Sequence, residues 1–160
     1  MAKPLFCRIE QLAHLRLPSQ TFIPALLQEL HYIIPSIANT FCWQDADGNL
    51  SNIYDETANT DIYESFVRSI SSQKPDKYSH TINWVSKLDT STTSFENFGK
   101  CPFIAEFYKT IMLEAGYVNT CFIPVFHNST HKRLGVLMIH RSKGDQDFSK
   151  SEQQYLQEIT

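Results

Sequence analysis

The chain has 160 residues, of which 42% are hydrophobic and 19% are charged, and its formal net charge is −3. This composition is typical of a globular domain and excludes a disordered chain. No stretch approaches the roughly 18 consecutive apolar residues of a membrane-spanning helix, and residues 1–7 lack the apolar core of a signal peptide. We therefore predict one cytoplasmic domain, residues 1–160, without a membrane partner.

The charge is distributed unevenly along the chain. No Lys or Arg lies between Arg16 and Arg68, whereas acidic residues accumulate there. Such a surface repels phosphate, and the basic residues of the second half are dispersed rather than clustered. The sequence therefore argues against direct binding of nucleic acid by this chain.

The cysteines and histidines do not have the spacing of a metal site. Cys7, Cys42, Cys101 and Cys121 form no Cys-x-x-Cys pair, and a free cysteine in an apolar strand behaves as a small buried hydrophobe. His127 and His131 are four residues apart, but in a polar turn this spacing does not place both rings on one face. We predict no metal site and no cofactor.

The first third of the chain predicts two helices followed by a β-hairpin. Apolar residues recur at helical spacing in both helical segments, and Pro18 and Pro35 end them. Polar and apolar residues then alternate as in a strand, and Asp47-Gly48 is a strong hairpin signal. The predicted elements are helices over 5–17 and 19–34 and strands over 36–44 and 50–54.

The middle of the chain gives weaker signals. Residues 60–70 have a short helical pattern, residues 71–77 are polar with Pro75, and a strand is predicted around residues 82–85. Residues 89–100 are rich in Thr, Ser and Asn and predict a connection. Pro102 begins a strongly periodic helix over 102–115, and Gly116 ends it.

The last third predicts a second hairpin and a final helix. Residues 120–126 and 134–140 are almost continuously apolar, as in strands buried on both faces, and a polar turn joins them. Ser149 and Glu152 have capping-box spacing immediately before an amphipathic segment. The order of elements predicts an α+β fold with an antiparallel sheet.

Several segments resemble GAF domains, in particular the N-terminal sensory GAF-like domain of LuxR-type transcriptional regulators. These segments are residues 24–35, 41–48, 123–126, 134–141 and 148–152. The resemblance implies a PAS-related antiparallel sheet with the N- and C-terminal helices on one face. It also implies a ligand pocket under short helices and loops on the other face. The last helix would lead into a helix-turn-helix DNA-binding domain outside this chain, through which alone the protein would contact DNA.

Two motifs of GAF subfamilies are absent. The chain lacks the Asn-Lys-Phe-Asp-Glu-type motif of cyclic-nucleotide-binding members, and Cys101 is followed by Pro102 rather than by the histidine of a chromophore site. The expected ligand is instead a small apolar or aromatic molecule, bound over the Phe41 and Trp43 face.

Aromatic residues near the predicted sheet and polar residues within apolar strands are the best candidates for ligand contact, since a ligand site is typically apolar with a few polar anchors. The alternative is that these residues only form a second core. The candidate ligand-binding residues are Asn39, Phe41, Trp43, Trp84, Phe98, Phe103, Phe107, Cys121, Ile123 and His140.

The sequence contains no catalytic motif that we can assign, so we predict no catalytic residues and a non-enzymatic sensory or regulatory domain. A homodimer through the first and last helices is expected. One alternative is a degenerate GAF module that only dimerises. Another is a small GAF-type redox enzyme such as a methionine sulfoxide reductase, for which Cys42, Cys101 and Cys121 would be needed.

Overall fold

The computed structural model describes residues 3–58, 64, 83–97, 102–107, 109 and 112–159. The helix predicted over 60–70, apart from residue 64, and the loop predicted over 71–77 lie outside these ranges. The chain divides into two compact units, Met1–Ser36 and Ile37–Thr160.

The elements follow one another in an α+β order, as predicted. In the described residues no helix is both long and apolar enough to cross a membrane. The elements are α1 (Lys3–His14), α2 (Ser19–Leu30), β1 (Ala38–Gln44), β2 (Leu50–Asp55), β3 (Thr92–Thr93), α3 (Ser94–Asn97), α4 (Pro102–Phe107), β4 (Asn119–Phe126), β5 (Arg133–Arg141) and α5 (Lys150–Ile159).

The first unit is a pair of helices. Arg8 of α1 forms an ion pair with Glu29 of α2 at 3.4 Å, and its guanidinium lies over the ring of Tyr32, 5.6 Å from the centroid. Ile23 and Leu27 on α2 are buried. This agrees with the apolar stripe that predicted the second helix.

The second unit is built on a five-stranded antiparallel sheet with strand order β2-β1-β5-β4-β3. Both predicted hairpins are confirmed as β1-β2 and β4-β5. Because β5 pairs with β1, the C-terminal hairpin completes the middle of the sheet. Both strands of the β1-β5 pair are consequently buried along most of their length.

Side chains alternate between the two faces of this sheet. In the pairing register, Cys42 lies opposite Val136 on β5 and Cys121 lies opposite Ile139 on the same strand. Val136 and Ile139 are an odd number of residues apart, so the two cysteines lie on opposite faces. We name these the Cys42 face and the Cys121 face.

Helix α5 covers the Cys121 face. Its Leu156 is fully buried, and the Gln157 side-chain amide donates to the Pro124 carbonyl oxygen of β4 at 3.3 Å. The predicted capping box is confirmed, because the Ser149 N–H donates to Glu152 Oε2 at 2.8 Å and the Glu152 N–H donates to Ser149 Oγ at 3.2 Å. The placement of the first two helices on this face stays a prediction.

The Cys42 face carries an apolar core. Trp84 meets Phe122 of β4 edge to face, with ring centroids 5.5 Å apart, and Val85 and Met112 are buried in the same cluster. Burial of these side chains against the sheet stabilises this face.

The strand predicted at residues 82–85 is wrong. Residues 83–85 are helical, and the Lys87 and Leu88 N–H groups donate to the Trp84 and Val85 carbonyls, three residues back. This turn buries Val85 against the sheet rather than adding a strand to it. The edge strand is instead Thr92–Thr93, and α3 follows it, both within the segment predicted as a connection.

The helix predicted over 102–115 is described as α4 and as residues 109 and 112–116 at its end. Gly116 has φ +84°, its N–H donates to the Leu113 carbonyl, and the Tyr117 N–H donates to the Met112 carbonyl at 2.8 Å. These are the bonds of a Schellman C-cap, for which glycine is the favoured residue. The predicted stop at Gly116 is confirmed, and it directs Tyr117 towards β4.

Gly135 in β5 is a position of very close packing. A Cβ there would lie 2.2 Å from the Cys42 carbonyl oxygen and within 2.9 Å of two ring atoms of Phe41. Only glycine allows β1 to approach β5 this closely at this register.

Strand β2 is at the edge of the sheet. The Ile53 N–H donates to the Asn52 side-chain oxygen at 2.9 Å. The edge donor is therefore bonded within its own strand.

Candidate functional site

Polar side chains form a continuous hydrogen-bonded row across the Cys42 face, at the end of the sheet where β1 begins and β2 ends. The row crosses β2, β1, β5 and β4 in their order in the sheet, and Thr57 and Tyr117 complete it from the adjoining loops. We name it the polar belt; its residues are Thr40, Asp55, Thr57, Tyr117, Thr120 and His140.

Asp55 is the charged centre of the polar belt and is only 2% exposed. Its carboxylate accepts the Thr40 hydroxyl at 2.5 Å, the Thr57 N–H at 3.0 Å and the Thr57 hydroxyl. The Tyr117 hydroxyl lies 3.3 Å from both carboxylate oxygens. A buried carboxylate needs such donors, because desolvation without them costs several kcal/mol.

A directional chain of hydrogen bonds runs from Thr120 to Asp55. The Thr40 hydroxyl donates to Asp55, which can only accept when ionised, so Thr40 Oγ1 must accept from His140 Nε2 at 2.8 Å. In the neutral imidazole Nδ1 is then an acceptor, and the Thr120 hydroxyl donates to it at 2.8 Å. The belt thus selects the Nε2–H tautomer of His140.

Tyr117 lies flat against His140. The two rings are stacked with centroids 4.1 Å apart and an interplanar angle of 6°. Burial lowers the pKa of His140 to about 4, although the charge of Asp55 opposes the shift. Burial also raises the pKa of Tyr117, with the Thr57 hydrogen bond opposing and the Asp55 charge adding to the rise. At neutral pH both rings are therefore uncharged.

Apolar side chains adjoin the polar belt on the same face. Cys42 and Val136 follow it along β1 and β5, and Phe122 of β4, which packs against Trp84, lies at the level of Thr40. A few fixed polar groups beside an apolar wall are the usual composition of a small-molecule site.

The chemistry of the belt favours hydrogen-bonding a polar group over catalysis. Thr120 and His140 have the arrangement of a hydroxyl and its base, but Thr120 is fully buried and its hydroxyl is already bonded. Only Thr57 at the β2 end of the belt is exposed. A reacting group must reach its substrate, so the buried Thr120 hydroxyl is not a candidate nucleophile.

The described cysteine thiols in the sheet are also shielded. Burial, with the Asp55 charge, raises the pKa of Cys42. Burial raises the pKa of Cys121 to about 12, with Glu96 adding to the rise and Arg141 opposing it. Because the thiolate is the nucleophilic form, neither thiol is activated at neutral pH.

The predicted ligand-binding residues do not come together in one site. Phe41 and Trp43 meet edge to face, with centroids 5.0 Å apart, on the face that α5 covers. Asn39, Cys121 and Ile123 share that Cys121 face, whereas Trp84 and His140 lie on the Cys42 face.

The remaining candidates fall outside the described parts of the chain. Phe98 lies in a segment that is not described. Phe103 and Phe107 are in α4, but their side chains are outside the description. Of the predicted set, His140 and Trp84 are thus the two that lie beside or within the candidate site.

Most of the polar belt was missed from the sequence. In the sequence, Asp55 is only one of the acidic residues between Arg16 and Arg68, and Thr40 and Thr120 have the pattern of ordinary strand residues. The signal lay in strand register, since Thr40 pairs with Asp55 and Thr120 pairs with His140 across neighbouring strands. Polar residues at the same level of adjacent strands would have pointed to the belt.

Among the residues that the structure describes, no group of three or more His, Cys, Asp or Glu side chains lies close enough together to hold a metal ion. Comparison with protein-family models found no match for this chain, and comparison with curated proteins found none either.

Proposed function

We propose that this chain is a GAF-like sensory domain that binds a small molecule on the Cys42 face, beside the polar belt, and that it regulates transcription in a longer protein. The observation that carries this proposal is the buried polar belt on the sheet face opposite α5. It supplies fixed donors and acceptors beside an apolar wall.

The two faces of the sheet differ in what covers them, and this difference supports the proposal. Helix α5 covers the Cys121 face through Leu156 and Gln157, whereas the half-buried Trp84 packs on the Cys42 face. The sequence resemblance implies a pocket on the face opposite the last helix, which is the Cys42 face, and that face carries the belt. The binding surface is therefore proposed beside His140 and not over Phe41 and Trp43.

The proposed ligand has an apolar or aromatic body and one polar group. The half-buried Trp84 beside Phe122 offers contact to the body, and the exposed Thr57 offers a hydrogen bond to the polar group. Asp55 adds negative charge to this end of the belt, so an anionic group is disfavoured there.

A metabolite screen by thermal shift, followed by amide NMR of each hit, tests the binding proposal. A ligand that stabilises the fold raises its melting temperature by mass action. We expect hits to shift the amide resonances of Asp55, Thr57 and Thr120. Their affinity should fall in Thr57→Val but not in Thr130→Val, which removes an exposed hydroxyl in the β4-β5 turn. Hits that perturb Trp43 instead would place the site on the other face, against the proposal.

The regulatory part of the proposal concerns the full-length protein. DNA contact would come from a helix-turn-helix domain outside these residues, because this chain is acidic where a DNA-binding surface would need positive charge. A gel-shift assay of the full-length protein, with and without a ligand found above, tests it. DNA binding that is indifferent to a saturating ligand would contradict a sensory role.

Dimerisation is a second candidate function, favoured by exposed apolar side chains just after the end of α1. Leu15 is 63% exposed and Leu17 is 36% exposed. Sedimentation analysis should show a wild-type dimer that dissociates in Leu15→Asp but persists in Leu113→Asp, a matched change at a leucine that is 47% exposed elsewhere. A wild-type monomer at high concentration would exclude this function.

The redox-enzyme alternative receives no support from the described thiols, because Cys42 and Cys121 lie on opposite faces and both have raised pKa values. The purified chain can be assayed for reduction of free methionine sulfoxide. Turnover that disappears in Cys121→Ser would restore the enzyme hypothesis.

A further inference from the structure

The start of α5 is held to the sheet by a second set of polar contacts. Arg141 Nη2 donates to Glu152 Oε1 at 2.6 Å, and Arg141 Nη1 donates to the Gln146 carbonyl at 2.8 Å. The Asn119 side-chain amide donates to Asp147 at 3.4 Å. We name this set the helix lock; its residues are Ser94, Asn119, Arg141, Asp147 and Glu152.

The helix lock is tightly built. Arg141 is 4% exposed, and its guanidinium lies 4.0 Å from the centroid of the Phe148 ring. Glu152 belongs at the same time to the capping box of α5. A change in the position of Arg141 therefore acts directly on the first turn of the helix.

The polar belt and the helix lock meet at two pairs of consecutive residues, Asn119–Thr120 in β4 and His140–Arg141 in β5. Thr120 and His140 of the belt are paired across β4 and β5, and so are their chain neighbours Asn119 and Arg141 of the lock. Because side chains alternate along a strand, the belt residues project from the Cys42 face and the lock residues from the Cys121 face. The two sets thus lie back to back on the same two strands.

Ser94 joins the two sets by hydrogen bonds. Its hydroxyl accepts the Thr120 N–H at 3.1 Å and donates to Asn119 Oδ1 at 2.8 Å, and the residue is completely buried. A continuous path of hydrogen bonds and one shared backbone link therefore leads from Asp55 to Asp147. A shift of Thr120 cannot leave the Ser94 and Asn119 bonds unchanged.

We propose that the polar belt and the helix lock form one conformational device, through which a change at the Asp55 end of the belt alters how firmly the first turn of α5 is held. The proposal rests on the proposed function only for the trigger, because a ligand beside the belt would supply the change at the Asp55 end. The coupling itself is a property of the chain without ligand, and it requires that the two sets respond together.

The test is amide hydrogen exchange by NMR on the ligand-free protein. The reporters are the Glu152 N–H, bonded to Ser149 Oγ, and the Gln153 N–H, bonded to the Ser149 carbonyl at 3.1 Å. Thr40→Val removes the hydroxyl between Asp55 and His140 without touching the helix lock. Val85→Ala is the control, because it weakens the core of the same face outside the belt.

We expect the two reporter amides to exchange about tenfold faster in Thr40→Val than in Val85→Ala when both are compared at equal global stability, because local opening is then specifically favoured. Thr40→Ser keeps the hydroxyl and should restore slow exchange. Equal exchange at the reporters in Thr40→Val and Val85→Ala would overturn the proposal.

A reciprocal measurement keeps the proposal testable if Thr40→Val does not fold. Glu152→Gln removes the charge that Arg141 binds in the helix lock. If the two sets are coupled, the His140 ring nitrogen resonances should shift. Glu158→Gln makes the same chemical change at an exposed position near the other end of α5 and should leave them in place. Unshifted resonances in Glu152→Gln would also overturn the proposal. Neither measurement uses a ligand, so failure of the ligand screen and failure of the coupling remain separate results.

Discussion

His140 and Tyr117 stack with their ring planes 6° apart, and each also binds the Asp55 carboxylate, His140 through Thr40 and Tyr117 at 3.3 Å. The imidazole thus has one face covered by a phenol ring and both nitrogens bonded to threonine hydroxyls. Its orientation and tautomer are fixed, and a fixed polar group inside an apolar face is what a selective binding site needs.

Thr40→Val should lower the free energy of unfolding by about 2 kcal/mol. The valine leaves the His140 Nε2–H without its acceptor and removes one donor from Asp55, and an unsatisfied buried group typically costs about 1–3 kcal/mol. Urea unfolding followed by circular dichroism measures it. Thr130→Val in the exposed turn should change stability by less than about 0.5 kcal/mol. Equal effects of the two variants would contradict a satisfied buried belt.

Stability should fall on acidification below pH 6.5, because of His140. The folded protein holds the pKa of this group at about 4, against an ordinary value of 6.5, so the unfolded chain binds the proton first and stability rises with pH through that window. The steepest slope is about 1.4 kcal/mol per pH unit.

The window between pH 6.5 and 4.5 separates His140 from the carboxylates with lowered pKa values. The pKa of Glu96 is lowered to about 2, because hydrogen bonds from Lys150, Thr93 and Thr92 outweigh the effect of burial. Its contribution to the free energy of unfolding is lost only as the pH falls below the ordinary pKa of 4.5. Urea unfolding at several pH values should give a flat profile in this window for His140→Gln. The exposed His131→Gln should keep the wild-type slope, and a wild-type slope in His140→Gln would assign the effect to another group.

Gly135→Ala should destabilise the sheet by about 3 kcal/mol, at the upper end of ordinary overpacking, because the new methyl group would meet the backbone oxygen of Cys42 and not only a movable side chain. Adding Phe41→Ala removes the ring contact but leaves this oxygen in place. The double variant should therefore be no more stable than Gly135→Ala alone in thermal unfolding. Recovery in the double variant would show that the ring and not the backbone limits this position.

Native thiol reactivity should distinguish the described cysteines. Cys7 is exposed, whereas Cys42 and Cys121 are buried and have raised pKa values. Labelling with a small disulfide reagent, followed by peptide mapping, should modify Cys7 in the native protein and the other two only after unfolding. Rapid native labelling of Cys121 would contradict its burial beneath α5.

Ser149→Ala should cost about 1 kcal/mol, the usual loss for an N-cap, because its hydroxyl bonds the Glu152 N–H. Ser129→Ala, at an exposed serine in the β4-β5 turn and outside α5, is the control. Far-ultraviolet circular dichroism during urea unfolding measures both. Equal losses would mean that the capping box contributes nothing measurable.

The sequence predicted best those elements that depend on local patterns. The hairpin turns, the Gly116 stop and the Ser149–Glu152 capping box each need only residues close together in the chain, and each is present. The polar belt depends on contacts between residues 15, 62 and 100 positions apart. Periodicity carries no information at such separations, because strand order and register decide which polar residues meet.

The wrong strand at residues 82–85 has the same origin. Ile, Trp and Val in that segment favour a strand by their intrinsic preference. In the folded chain, a helical turn at residues 83–85 buries Val85 against the sheet instead. The prediction that Phe41 and His140 share one site is wrong, because the alternation of side chains along the strands places them on opposite faces of the sheet.

The hydrogen bond from the Ile53 N–H to Asn52 has a consequence for self-association. A free strand edge invites a second chain to extend the sheet, and this route leads to uncontrolled polymers as readily as to defined dimers. At this point of β2 an incoming strand would first have to displace the asparagine side chain. The Asn52 side chain thus hinders extension of the sheet at this point of β2. Dimerisation through helical surfaces would not depend on this edge.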